Sequence, residues 1–141
     1  MATFLFKTEP TEYSFDDLAR DKRTTWSGVS NAAALAHLRT ARKGDEVLVY
    51  HTGDEKAIVG LARVIADPYE DPERPGRTPS DEPKFAVVDL APVQRAKTPI
   101  TLATIKADKR FAAFALVKQS RLSVMAVPPP LERALREMAG L

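Results

Sequence analysis

Residues 46–66 constrain the fold more than any other stretch of the chain. Glu46-Val47-Leu48-Val49-Tyr50-His51-Thr52 is apolar in its middle and polar at its exit. Gly53-Asp54-Glu55-Lys56 follows as a hairpin-type turn, and Ala57 to Ala66 then runs apolar on both faces apart from Arg63. A strand covered on both faces suits the wall of a small closed barrel with helices packed outside it. Gly60 inside that strand marks a bulge or bend, as closure requires.

The remaining segments fit around this hairpin. Thr3 to Lys7 reads as a first strand that Pro10 stops, because proline lacks the N–H a ladder needs. Ser14 is placed to cap a short helix with acidic residues in its first turn, which ends in the charged run 20–23. Asn31 caps a second helix to about Thr40, and Gly44-Asp45 ends it. Residues 67–83 contain five prolines and no apolar periodicity, and read as a long, mobile surface loop. Lys84 to Gln94 resumes as a strand, and Thr98 to Thr101 leads into a helix over Leu102 to Ala107 with Thr101 as its cap. Phe111, Phe114, Leu116 and Val117 supply core anchors. Ser120 to Val127 is a last strand, and the proline run opens a terminal helix over Leu131 to Ala139. Strands do not alternate with long helices, so a doubly wound sheet is excluded. The expectation is one α+β domain over residues 1–141. It is a small barrel of about five to six mostly antiparallel strands with flanking helices.

Composition narrows the chemistry. The absence of cysteine excludes disulfides and thiol catalysis, and with only His37 and His51 no metal site and no cofactor is expected. The six glycines are scattered singly, so no phosphate-cradling loop is present. A formal charge of +2 permits a local basic face without demonstrating one. No apolar run is long enough to cross a bilayer, and no secretory signal follows Met1. A cytoplasmic monomer without membrane attachment is expected.

Two readings of the polar residues compete. His51, Glu9 and either Thr8 or Ser123 could form a nucleophile–base–orienter set on paper, but no nucleophile-elbow pattern surrounds any serine. A binding site needs instead a stacking face and a few groups that read an edge. The lone Trp26, in Thr25-Trp26-Ser27-Gly28-Val29-Ser30-Asn31, can stack on a planar ring, and Tyr50 lies at a strand exit. Lys7, Lys118 and Arg121 could attract phosphate, while Thr8, Glu9, Asn31, His51 and Ser123 could bond a base edge. Each has a plainer reading as well. A single Trp is also a core anchor, Tyr50 a core residue, His51 a structural histidine, and Lys7 with Glu9 a surface pair.

Four ordered segments resemble the EVE-domain family of PUA-like proteins. They are the opening Phe4-Leu5-Phe6-Lys7-Thr8-Glu9-Pro10-Thr11-Glu12-Tyr13-Ser14-Phe15-Asp16-Asp17-Leu18, the Trp26 segment, Gly44-Asp45-Glu46-Val47-Leu48-Val49-Tyr50-His51, and Arg121-Leu122-Ser123-Val124. The resemblance spans nearly the whole chain and implies a PUA-like barrel related to the YTH and ASCH domains. It further implies a non-catalytic reader of nucleic acid that holds a modified base, methylated or hydroxymethylated cytosine in DNA, in an aromatic and polar pocket. By that similarity the pocket is lined by Lys7, Thr8, Glu9, Trp26, Ser27, Gly28, Val29, Asn31, Tyr50, His51, Arg121, Leu122 and Ser123. Arg39, Arg42, Lys43 and Lys118 are candidates for phosphate contacts. Where the family has arginine, asparagine, an aromatic residue and glutamine, this chain has Ser30-Asn31-Ala32-Ala33. The asparagine is kept and the other groups of the rim are lost. The alternatives are a modified-RNA binder, a small-molecule binder or enzyme acting on a modified nucleoside in the same pocket, and a protein-interaction module using the loop 67–83.

Overall fold

A computed structural model describes residues 1–141. Its centre is the predicted hairpin: β3 (Glu46–His51) and β4 (Ala57–Val64) pair antiparallel, and every residue of β3 is buried. The first strand, β1 (Thr3–Thr8), lies on the other side of β3 and runs parallel to it, with Lys7 opposite Tyr50 and Thr8 opposite His51. The long β6 (Ala86–Thr101) pairs with β4, and the short β2 (Thr24–Trp26) pairs with β6. The last strand, β7 (Val124–Ala126), pairs antiparallel with β1. The order β2-β6-β4-β3-β1-β7 is a curled, mixed half-barrel, with the two-residue β5 (Tyr69–Glu70) beside β6.

The helices cover this sheet. Helix α1 (Phe15–Asp21) starts at a capping box in which Ser14 and Asp17 satisfy each other's backbone N–H groups. Helix α2 (Ala32–Thr40), capped by Asn31, buries Ala34, Leu35 and Leu38 and packs on both β7 and β6. It thereby bridges β7, at one end of the strand path, to β6, the neighbour of the strand at the other end. Two further short helices, α3 (Leu102–Ala107, capped by Thr101) and α4 (Ala115–Lys118), hold Ile105 and Leu116 in the core. The terminal α5 (Pro129–Ala139) begins on prolines and ends on Gly140 in the left-handed conformation. Arg136 of α5 and Arg63 of β4 both donate to the buried Glu46. Burial would raise that carboxyl, but the two guanidinium groups outweigh it and hold it below the ordinary range.

Several expectations need correction. The 98–101 segment is strand, because β6 continues through Pro92 and Pro99, with register shifts between Ile58 and Gly60 and between Leu61 and Ala62 absorbing the irregularity. The final strand is three residues long rather than spanning 120–127. The 67–83 segment is held to the body by Arg39, which donates to the carbonyls of Pro83 and Lys84, and by the β5–β6 pairing. Gly60 does sit at a register shift, and a second cause is visible there. A Cβ at this position would come within 2.5 Å of the Phe15 ring. No helix is long and apolar enough to cross a membrane.

Candidate functional site: a cleft beside Trp26

The polar end of β1 and the end of β2 meet in a cleft of about 440 Å³. Lys7, Thr8 and Glu9 form one wall, and Trp26, Ser27, Gly28 and Val29 form the other, with Ser123 completing the lining. Trp26 is half-buried. Its ring packs against the fully buried Phe6 at a centroid distance of 5.6 Å and a tilt of 48°. A neighbour on one side and a cleft on the other leave the indole fixed and still accessible.

The turn after Trp26 is built to stay open. Gly28 has φ of 81°, a conformation that L side chains adopt with strain, and a Cβ there would meet nothing within 4 Å. The N–H groups of Ser27, Gly28, Val29 and Ser30 have no acceptor in the chain. From behind, Arg74 grips this turn. It donates to the Val29 carbonyl at 3.1 Å and to Ser30 Oγ at 3.0 Å, lies 4.4 Å from the Phe85 ring centroid, and pairs with Asp71. Beneath β2, the Asp89 carboxylate accepts from Tyr69, Thr25 and Arg23. Burial would raise its pKa, but those three donors prevail and hold it below the ordinary carboxylate range.

The opposite wall is also committed. The backbone N–H of Lys7 donates to the Ser123 carbonyl and its Nζ donates to the Ser120 carbonyl, so one residue pins the segment 120–123 at both ends. Burial pushes the Lys7 ammonium below the usual lysine range. Thr8 Oγ1 donates to the Tyr13 carbonyl at 2.7 Å. The Glu9 carboxylate accepts from Thr11 and from the Thr52 hydroxyl.

Other sequence-predicted site residues lie elsewhere. Asn31, Lys118, Arg121 and Leu122 line a neighbouring hollow of about 310 Å³, and the Asn31 side chain is spent on capping α2. Tyr50 is 3% exposed and borders another hollow together with Lys7. His51 is buried outside the cleft. Its Nε2 accepts the Phe15 N–H at 3.0 Å, which assigns the ring proton to Nδ1, 2.9 Å from Glu55. The carboxylate beside this histidine is therefore Glu55 and not Glu9, and neither ring nitrogen is free to act as a base. Arg42 donates to the carbonyls of Arg39 and Ala41, Arg39 holds the proline-rich loop, and the Lys43 N–H donates to Asp67.

Glu12, Tyr13, Thr24, Thr25 and Ser30 also line the cleft, beyond the residues that the sequence singles out. The β-branched pair Thr24-Thr25 before an aromatic residue is a strand signal that could have placed two of them. Nothing in the sequence pairs Arg74 with the turn 44 residues away from its Ser30 partner.

The model of the EVE domain matches residues 2–138. Thymocyte nuclear protein 1 of Homo sapiens is 34% identical over 123 residues, which cover 73% of this chain and 55% of that protein. The chain thus spans about half the length of the curated relatives it matches. A solved protein from Rhodopseudomonas palustris superposes with a TM-score of 0.88 at 37% identity, covering 99% of this chain and 94% of its own. The crystal structure of human thymocyte nuclear protein 1 in complex with 5-methylcytosine containing DNA gives a TM-score of 0.88 at 25% identity, covering 100% of this chain and 99% of that one.

Proposed function

The chain belongs to the EVE-domain family, and on that premise we propose that it is a non-catalytic reader of DNA carrying a modified cytosine. The observation that carries this reading is Trp26, fixed on one side by Phe6 and open to the cleft on the other. A flipped base stacks on the indole, and its polar edge meets the unpaired N–H groups of the Ser27–Ser30 turn and the polar residues of the opposite wall. The human relative's structure with 5-methylcytosine containing DNA supports the choice of ligand.

Magnitudes set the division of labour. Extruding a base from a duplex costs a few kcal/mol. One stacking contact returns about 1–3 kcal/mol. Stacking therefore offsets extrusion, and net affinity comes from edge hydrogen bonds and phosphate contacts. His51 lies outside the cleft with both ring nitrogens engaged, so it supplies no general base there, which supports binding over turnover.

Titration of the protein with oligonucleotides containing 5-methylcytosine, 5-hydroxymethylcytosine or cytosine at low salt tests the proposal through Trp26 fluorescence. A saturable response selective for a modified base is expected. Equal responses to all three, or none, would sink it. Matched RNA strands in competition separate a DNA reader from an RNA reader, because preference for a 2′-hydroxyl favours the latter.

A further inference from the structure

Lys7 borders two hollows. One is the Trp26 cleft, and the other is a space of about 310 Å³ between the β3–β4 turn and helices α3 and α4. This second space has an apolar side made by Leu102, Leu116 and Val117 above the buried Tyr50. Its charged side is made by Lys7, Lys56 and Lys106, and no carboxylate is among its lining residues.

What sets these lysines apart from the other cations of the molecule is that they converge on one hollow, since no lysine in the protein makes an ion pair. Every ion pair in the protein is made by an arginine. Lys7 is occupied by the Ser120 carbonyl and lies 5.7 Å from the Tyr50 ring centroid, so it contributes charge while holding the wall. Lys56 and Lys106 have neither an ion pair nor a side-chain hydrogen bond, and the N–H of Leu102 closes the hollow by donating to the Lys56 carbonyl at 2.7 Å. Of the nearby carboxylates, Glu9 is held by Thr11 and Thr52 and Glu55 by His51, while Asp54 and Glu55 line an adjoining hollow that shares Lys56, Leu102 and Lys106 with this one.

An apolar wall facing uncommitted ammonium groups is the arrangement that accepts a phosphorylated sugar. The geometry points to a phosphate seat in this hollow: Lys56 and Lys106 take the phosphate adjoining the base in the Trp26 cleft, and the Leu102–Leu116–Val117 wall takes its sugar. This inference rests on the base-reading proposed above for the source of the phosphate. The seat itself is defined by the lysines. Because the two hollows share Lys7, a strand whose base enters one has its backbone directed to the other.

The test uses the full chain and the double variant Lys56→Gln/Lys106→Gln, with two probes. Inorganic phosphate titrated into the labelled protein should shift the backbone amides of residues 52–56 and 102–106 saturably, and the double variant should lose those shifts. With a modified-cytosine oligonucleotide, the double variant should bind more weakly, and its plot of log K against log salt should be shallower by about 1, as for one lost phosphate contact. Circular dichroism confirms that both proteins are folded. Phosphate shifts confined to residues 118–122, or an unchanged salt slope in a variant that still binds the oligonucleotide, overturn the assignment. A phosphate response at the seat without any oligonucleotide binding defeats the base-reading instead and assigns the seat to free phosphate.

Discussion

Trp26 and His51 invite comparison, because each is a rare residue type at the end of a strand and each reads from the sequence as a pocket residue. The fold treats them oppositely. His51 has both ring nitrogens engaged, one by the Phe15 N–H that begins α1 and one by Glu55. Trp26 is half-buried on Phe6 and keeps one side on the cleft. The difference lies in unspent valence. A group whose bonding capacity is used inside the chain maintains structure, and a group held in place with capacity left over is available to a ligand.

Four experiments can break or sharpen this contrast. The largest effect is expected at His51. His51→Ala leaves the buried Phe15 N–H without an acceptor and opens space around α1, so unfolding free energy should fall by about 2–4 kcal/mol. Chemical denaturation measures this, and the folded fraction should bind oligonucleotide as before. Weakened binding with unchanged stability would reverse the roles assigned here.

Trp26→Ala should do the opposite. Affinity for a modified-base oligonucleotide should drop by about 1–3 kcal/mol, roughly 5- to 150-fold. Stability should fall by only about 0.5–1.5 kcal/mol through loss of the Phe6 contact. Calorimetric titration beside a thermal melt reads both.

Arg74→Ala probes the support behind Trp26. Releasing Val29 and Ser30 should cost about 1 kcal/mol of affinity, roughly fivefold, through lost preorganisation. Amide exchange at residues 27–30 should quicken. Unaltered exchange there would mean that the turn holds its shape without the guanidinium.

The smallest effect concerns pH. The folded Asp89 carboxyl has a depressed pKa, so the unfolded chain takes up its proton first as pH falls. Its stabilisation is fully present above the unfolded value of about 3.9 and is lost as pH falls through the lower folded value. The stability gap between the native protein and Asp89→Asn should be constant near neutrality and shrink below about pH 4. A gap that persists there would assign the effect to packing.

The same contrast explains what could be read from the amino acids alone. Caps were readable because each is a local choice: Ser14, Asn31 and Thr101 all accept the N–H three residues ahead. The β3–β4 hairpin was readable because its turn lies between its strands. Strand β5 was not, being two residues long, and the three-residue β2 carried only the Thr24-Thr25 pair as a signal; both are made by pairing with a distant β6. Prolines 92 and 99 suggested breaks that the register shifts absorb. At the site, Lys7, Thr8, Glu9, Trp26 and Ser123 do converge. Tyr50, His51 and Asn31 are interchangeable with them in composition, and only the partners found in three dimensions set them apart.

The placement of β1 between β3 and β7 also has a consequence in time. The first strand of the chain receives its second neighbour from residues 124–126, and the Ser123 carbonyl that closes the cleft wall arrives with them. Contacts of such sequence separation are slow to form, because most of the loop entropy is lost before they contribute. During synthesis, the β3–β4 hairpin and the helix caps can form as they emerge, whereas the Lys7–Ser123 bond waits until residue 123 has emerged. The cleft is thus among the last features of the fold to exist, and nascent chains ending before residue 120 have no complete site to offer.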